Sequence, residues 1–167
     1  MSVADRVRWL LATGCGLGLA PVASGTFGTL GGVALALLLQ IWLAGQALGL
    51  GLTALAVVLL AIGCSFTSWT VRILKADDPK PFVLDEIVGY LVAVAILTFW
   101  RGDPSPTGHA MAFVIFRAFD VWKPWPASRL EYVPGAPGIM LDDVAAGAYA
   151  GLVLGALPWL GLAVTYP

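Results

Sequence analysis

The sequence predicts an all-α protein, a polytopic membrane bundle of four to five membrane-embedded helices. Hydrophobic residues make up 59% of the 167-residue chain, and the mean hydropathy of +0.89 lies well above that of soluble proteins. Residues 9–71 carry no formal charge, although about 20 apolar residues suffice to cross a bilayer. The apolar runs are continuous and lack the alternation of a half-buried strand, which favours helices over a barrel.

Charges, prolines and glycines divide the chain into five apolar segments. They cover residues 29–47, 50–70, 84–100, 105–122 and 143–164. The third begins with an acid pair and the fourth contains Arg117 and Asp120, so one or two segments could be short or re-entrant. We expect a single domain over residues 1–167. We do not expect a cleaved leader, because glycines interrupt the apolar run that follows Arg6 and Arg8.

The basic residues predict which helix ends face the cytoplasm. With a cytoplasmic N-terminus, the predicted path returns the chain to that side near Arg72 and again near Lys123. Arg101 is then the only basic residue on the opposite side, where His109 also lies. The N-terminus and the acidic residues are thus predicted at the cytoplasmic face. Of the loop acids, Asp78 is expected to keep its loop solvated, and the role of Asp77 stays open.

Five carboxylates mark a candidate metal or phosphate site in a chain with only 11% charged residues. They are Asp85, Glu86, Asp120, Asp142 and Asp143. Two of them, Asp85 and Asp142, open similar acid pairs that each precede an apolar run, so capping of helix N-termini is the alternative interpretation. Gly147, Gly151 and Gly155 form a small-residue stripe that Asp143 continues, which predicts that Asp143 points toward neighbouring helices.

The segment from Phe116 to Pro126 reads FRAFDVWKPWP and holds the densest set of charged and aromatic residues. On a helix, Arg117, Asp120 and Lys123 share one third of the circumference, and Pro124 ends the helix. Two interpretations stay open, and both can hold. The segment is either a carboxylate ligand flanked by two phosphate-binding cations, or an internal ion pair beside interfacial tryptophans.

A glycine-rich stretch precedes the first long apolar run and reads GLGLAPVASGTFGT over residues 16–29. Amide groups at a helix N-terminus bind anions, and Ser24 and Thr26 add hydroxyl donors next to Gly25. The stretch is not a Walker A loop, because the Gly-Lys-Ser/Thr end is absent. By itself it is a weak indication of a phosphate site.

Together these motifs resemble the phosphatidylglycerophosphatase A family of magnesium-dependent bacterial lipid phosphatases. The similarity rests on the glycine-rich stretch and on three further motifs, VLDEIVG at 83–89, FRAFDVWKPWP at 116–126 and GIMLDDVAAG at 138–147. Two positions depart from the family pattern. Ser24 replaces a residue that is often proline, and residues 133–137 replace a segment that often contains histidine.

The resemblance implies magnesium-dependent hydrolysis of phosphatidylglycerophosphate to phosphatidylglycerol and phosphate, in phospholipid biosynthesis. The expected location is the cytoplasmic (inner) membrane of a bacterium, with the lipid bilayer and the phospholipid substrate as partners. The expected roles of the site residues are as follows: Mg²⁺ ligands Asp85, Glu86, Asp120, Asp142 and Asp143; catalytic residues Asp85, Asp120, Asp143 and Lys123; substrate-binding residues Arg117, Lys123, Ser24, Gly25 and Thr26. Metal-activated water and an aspartyl-phosphate on Asp120 or Asp143 are both compatible with this set.

Other functions fit the composition less well. A histidine-dependent lipid phosphatase needs two histidines and the chain has one, while the acidic signature of CDP-alcohol phosphotransferases is absent. A small transporter or assembly factor that couples ions through intramembrane acids is the remaining alternative. Without a basic excess, at net charge −1, nucleic acid is not expected as a partner. The sequence leaves homo-oligomer formation open.

Overall fold

The computed structural model describes residues 2–66, 69, 73, 80–130, 132, 133 and 136–157. Within this part the chain is helical and contains no strand, which confirms the all-α prediction. It forms one 3₁₀ turn (Leu17–Leu19) and seven α-helices: α1 (Val3–Ala12), α2 (Ser24–Trp42), α3 (Gly45–Cys64), α4 (Leu84–Arg101), α5 (Pro106–Trp122), α6 (Ala127–Leu130) and α7 (Ala136–Ala156).

Three helices of the described chain are long and apolar enough to span a bilayer. They are α2, α3 and the Pro137–Ala156 part of α7. Helices α4 and α5 have 18 and 17 residues, or roughly 26 Å each at about 1.5 Å per residue. They are therefore close to the length of a span but carry more charge. The predicted count of four to five membrane-embedded helices stays a prediction beyond these three.

Helix α4 forms the centre of the bundle and contacts α2, α3, α5 and α7. Its residues are apolar around the whole circumference after the first turn, as expected for a helix that packs on every side. Tyr90, Leu91 and Leu97 are fully buried. The charged first turn of α4 is therefore placed where the surrounding helices meet.

The glycine stripe of α7 packs closely against a neighbouring helix, as predicted, and the structure shows that this helix is α4. A side chain at Gly147 would collide with the carbonyl oxygen of Gly89, and one at Gly151 would lie 2.7 Å from the carbonyl oxygen of Ala93. Further along, Gly155 leaves room for the ring of Trp100. Because backbone meets backbone here, the two helices approach more closely than larger residues would allow.

Four predicted helix boundaries are wrong. Helix α2 covers Ser24–Trp42 rather than residues 29–47, α3 begins at Gly45 rather than near residue 50, and α7 begins at Ala136 rather than near residue 143. Asp142 and Asp143 therefore lie beyond the first turn, where backbone N–H groups already have helical partners, so they are not N-terminal caps. The acid pair of α4 does lie in a first turn. Predictions about Arg72, Lys75, Asp77, Asp78 and residues 134–135 and 158–164 lie outside the described residues.

The far end of the bundle carries a separate polar network, and His109 belongs to it as predicted. The ring of His109 hydrogen-bonds the Tyr90 hydroxyl through Nδ1 and the Gln40 side chain through Nε2, each at 2.8 Å. Gln40 Nε2 also donates to the carbonyl oxygen of Pro104 at 3.0 Å, and the backbone N–H of Gly45 donates to Asp103 Oδ1 at 2.7 Å. Tyr90 reaches this network from the second turn of α4, whereas Gln40, Gly45, Asp103 and Pro104 lie at or beyond the helix ends opposite the acid pair of α4.

The close contact between α4 and α7 predicts that even a methyl group at Gly147 destabilises the protein. Gly147→Ala should lower the free energy of unfolding by ~1–3 kcal/mol, because the added methyl group meets the Gly89 backbone. Gly51→Ala is the matched control, since its methyl group meets only the end of the Leu43 side chain. Denaturation in detergent micelles measures both. Equal stability of the two variants would contradict the tight contact.

Candidate active site

Four helices meet at one end of the bundle, and three of them, α4, α5 and α7, carry charged residues there. Helices α2 and α4 begin at this end of the bundle, and α5 ends there. The second turn of α7 lies at the same end. This convergence follows from helices that run alternately up and down. The predicted site residues of the four segments, from Ser24 to Asp143, lie near these helix ends.

Asp85, Glu86 and Asp143 form a compact group, here named the acidic cluster. One carboxylate oxygen from each lies within 4.8 Å of the others. Asp85 is 7% and Asp143 3% exposed, so water solvates their charge poorly. Within the described chain, Glu86 Oε2 is buried without a hydrogen-bond partner. Three ionised carboxylates held this close to one another repel strongly, and a proton or a cation between them relieves that repulsion.

The local sequence explains the orientation of the cluster. Asp85 and Glu86 occupy the first turn of α4, where free backbone N–H groups and the positive end of the helix dipole favour negative charge. Asp143 lies on the glycine-lined face of α7, and its backbone carbonyl oxygen is 2.6 Å from where a side chain at Gly89 would begin. The tight helix contact therefore sets the distance between the acids of the two helices.

Two cations flank the acidic cluster, both from the end of α5. Arg117 Nη1 forms an ion pair with Asp120 and lies 3.9 Å from Glu86 Oε1. Lys123 Nζ donates to Asp142 Oδ2 at 2.7 Å. Helix α5 ends at Trp122, and the next residue, Lys123, adopts a left-handed conformation with φ of 45° before Pro124. The predicted helix end and the predicted Arg117–Asp120 pair are thus both confirmed.

The five predicted carboxylate ligands divide into two groups in the structure. Asp85, Glu86 and Asp143 form the acidic cluster, whereas Asp120 and Asp142 are engaged by Arg117 and Lys123. Asp120 remains adjacent, because its carboxylate also interacts with that of Asp143. Direct metal ligation by Asp120 and Asp142 stays a prediction.

The start of α2 packs against the site residues, and two of its glycines leave room for them. A side chain at Gly25 would meet Glu86 Oε1 and would lie 2.9 Å from Arg117 Nη1. A side chain at Gly28 would lie 2.7 Å from Val83 Cβ and 3.3 Å from Glu86 Oε2. Ser24 and Thr26 flank Gly25, and within the described residues their hydroxyl groups make no hydrogen bond to the acidic cluster.

Gly28 and Gly89 are site residues that sequence reasoning did not assign. Both let another backbone or a charged side chain approach the acidic cluster, and neither carries a chemical group of its own. Their positions in the sequence could have indicated a role in the site, since Gly28 lies in GTFGT and Gly89 is four residues after Asp85. A glycine one turn from an acid is common in membrane helices, so that signal was weak.

Comparison with known proteins gives consistent matches. The family described as Phosphatidylglycerophosphatase A matches residues 10–158. The chain is 34% identical over 151 residues to "Phosphatidylglycerophosphatase A" of Escherichia coli (strain K12), covering 87% of this chain and 80% of the relative. It is 36% identical over 153 residues to the protein of the same name from Haemophilus influenzae, covering 90% and 88%.

A third relative has a different name. "Putative phosphatidylinositol-3-phosphatase" of Bacteroides thetaiotaomicron is 34% identical over 157 residues, covering 90% of this chain and 93% of the relative. No solved structure matches the chain. All three relatives are named as phosphatases, and two of them have the same name.

The Lys123–Asp142 pair predicts energetic coupling between the two side chains. Lys123→Met should destabilise the protein by ~1–3 kcal/mol, because it leaves the nearly buried Asp142 carboxylate without this partner. The Lys123→Met, Asp142→Asn double variant should lose less stability than the sum of the two single variants. Denaturation of all four proteins measures the coupling. Additive losses would show that the pair contributes nothing.

Proposed function

Since the chain belongs to the phosphatidylglycerophosphatase A family and is therefore a phosphatase, we propose that it hydrolyses phosphatidylglycerophosphate with the help of magnesium. Water adds to phosphorus, the P–O bond to glycerol breaks, and the glycerol oxygen takes a proton. The products are phosphatidylglycerol and inorganic phosphate. The observation that supports this proposal most directly is the acidic cluster with Arg117 beside it.

The donor set of the acidic cluster fits magnesium. Mg²⁺ prefers oxygen ligands and usually binds through one or two carboxylates, several waters and a substrate phosphate. Asp85, Glu86 and Asp143 offer only oxygen donors, and Glu86 Oε2 is still without a hydrogen-bond partner in the described chain. We propose these three as the principal ligands. A bound Mg²⁺ would supply positive charge that stabilises the phosphoryl oxygens during hydrolysis.

Arg117 and Lys123 would bind the phosphate group from the exposed side of the site. Their side chains are 22% and 27% exposed, whereas the carboxylates of the acidic cluster are nearly buried. A guanidinium can donate two parallel N–H bonds to phosphate oxygens, and an ammonium group adds a compact charge. Asp120 and Asp142 hold these cations through ion pairs, so both are in position before the substrate arrives.

We place the acidic cluster at the cytoplasmic face of a bacterial inner membrane. Arg6 and Arg8 lie in α1, whose last residue, Ala12, accepts a backbone hydrogen bond from Val83 next to the cluster. Arg101 lies at the far end of α4 and donates to the carbonyl oxygen of Gly155. Basic residues favour the cytoplasmic side, so their distribution supports this orientation. The lipid tails would then stay in the bilayer.

The acids lie at one end of the bundle rather than at its centre, which disfavours the transporter alternative. A transporter is expected to place its coupling groups near the middle of the membrane. The relative named for phosphatidylinositol 3-phosphate makes that lipid the appropriate comparison substrate. Both lipids carry a phosphate monoester, which Arg117 and the acidic cluster could bind in the same way.

Replacing one carboxylate of the acidic cluster tests the metal and the reaction together. Asp143→Asn should abolish most phosphate release from phosphatidylglycerophosphate. It should also raise the melting temperature of the metal-free protein, because it relieves repulsion among buried carboxylates. Mg²⁺ should raise the melting temperature of the wild type and fail to do so for the variant.

Asp103→Asn is the control for this experiment. It makes the same chemical change at the far end of the bundle, where Oδ1 of either residue can accept from the backbone N–H of Gly45. This variant should keep the Mg²⁺-dependent shift and the activity. A magnesium shift that survives in Asp143→Asn would place the metal elsewhere. Phosphate release that needs no divalent cation would refute the role of magnesium.

The tight packing at Gly25 predicts a loss of activity that does not depend on stability. Gly25→Ala would push a methyl group against Glu86 and Arg117, between the residues proposed to bind metal and phosphate. Turnover should fall ~10²-fold, as expected when catalytic groups are displaced by about 1 Å, with little change in melting temperature. Ser24 and Thr26, which flank it, remain predicted hydroxyl donors to the phosphate.

Gly31→Ala, on the same helix, is the control because its methyl group meets mainly the end of the Leu17 side chain. It should retain activity. Equal turnover of both variants would show that the first turn of α2 does not contribute to the site. Steady-state phosphate release in detergent–lipid micelles measures both.

A further inference from the structure

An apolar groove runs between α3 and α4 and ends beside the acidic cluster. It has a volume of about 210 Å³. Its walls include Val88, Val92 and Phe99 from α4, Val57 and Leu60 from α3, and Val144 from α7. Thr53 also lines the groove, but its hydroxyl group donates to the carbonyl oxygen of Gly49 at 2.8 Å. The lining therefore offers little to a water molecule and favours an apolar occupant.

The groove and the acidic cluster share one face of α4. Val88, Val92 and Phe99 follow Asp85 at intervals of three, seven and fourteen residues, the spacing of a single helical face. On α7, Val144 is the residue directly after Asp143. Asp85 and Asp143 therefore lie at the end of the groove that Val88 and Val144 line.

The length of the groove matches one leaflet of a bilayer. From Val88 to Phe99 the helix advances about 16 Å, at about 1.5 Å per residue, and half of a hydrocarbon core is about 15 Å. Phe99 marks the far end, where its ring packs against Gly49; a side chain there would lie 2.7 Å from the ring. The groove thus extends from the side of the acidic cluster over about the length of one acyl chain, toward the end of α4 that carries Arg101.

We propose that this groove binds one acyl chain of the phospholipid substrate and so places the phosphate at the acidic cluster. The proposal rests on the proposed phosphatase function. A lipid phosphate bound at the acidic cluster has its tails directed along the helices, and the apolar groove continues from Asp85 in that direction. The bound chain aligns the headgroup, so Val57, Val92 and Phe99 act as positioning residues.

Two adjacent valines of α3 provide the test. Val57 lines the groove, whereas Val58 lies about 100° further round the helix, and both are comparably exposed at 58% and 53%. Val57→Phe should lower kcat/KM for a substrate with long acyl chains about tenfold relative to a short-chain, water-soluble analogue. Val58→Phe should leave that ratio at the wild-type value. An unchanged ratio in Val57→Phe, or equal losses in both variants, would overturn the proposal.

Photolabelling gives a second readout that does not depend on turnover. Phosphatidylglycerophosphate with a diazirine on one acyl chain, in phosphatidylcholine vesicles, should label peptides of α3 and α4 that line the groove. Excess unlabelled phosphatidylglycerophosphate should suppress this labelling, and Val57→Phe should reduce it. Labelling that excess substrate does not suppress would show that bulk lipid occupies the groove, which overturns the proposal. Failure of the phosphatase function itself would instead show as no phosphate release by the wild type from either substrate.

Discussion

The contact between Gly89 of α4 and Gly147 of α7 is the constraint on which the rest of the structure depends. It lets two helix backbones meet without intervening side chains, and the acids of both helices lie one turn away at Asp85 and Asp143. Larger residues at either position would separate the helices by the width of a side chain. The carboxylates would then be too far apart to bind the same cation.

The acidic cluster is costly to the stability of the fold. Carboxylates that are nearly buried and within 4.8 Å of one another are unfavourable by themselves, and a fold under selection for stability alone would not retain them. The pairs of Arg117 with Asp120 and of Lys123 with Asp142 neutralise the neighbouring acids and leave Asp85, Glu86 and Asp143 as the group with excess negative charge. The same pairs hold two cations at the partly exposed edge, where an anionic headgroup would enter.

The two ends of the bundle differ in chemistry. One end gathers five carboxylates with Arg117 and Lys123, whereas the other has fewer charges and holds the hydrogen-bonded groups of His109, Gln40 and Asp103. The apolar groove begins beside the acidic cluster and is lined almost entirely by apolar side chains. A substrate with a charged headgroup and apolar tails matches this arrangement, because each part of the lipid then contacts groups of its own polarity.

The sequence by itself determined the helical membrane class, the motifs, the end of α5 at Pro124 and the convergence of the acids at one end, because hydropathy, charge and proline geometry act locally. It misplaced the starts of α2 and α7 and the break between α2 and α3, since uncharged glycine-rich residues do not distinguish a helix from a loop. Only the tertiary structure decided which acids group together and which pair with Arg117 and Lys123. It also brought Gly25 against Glu86 and Arg117. These distances join residues far apart in the chain, and they are set by how closely the helix backbones pack.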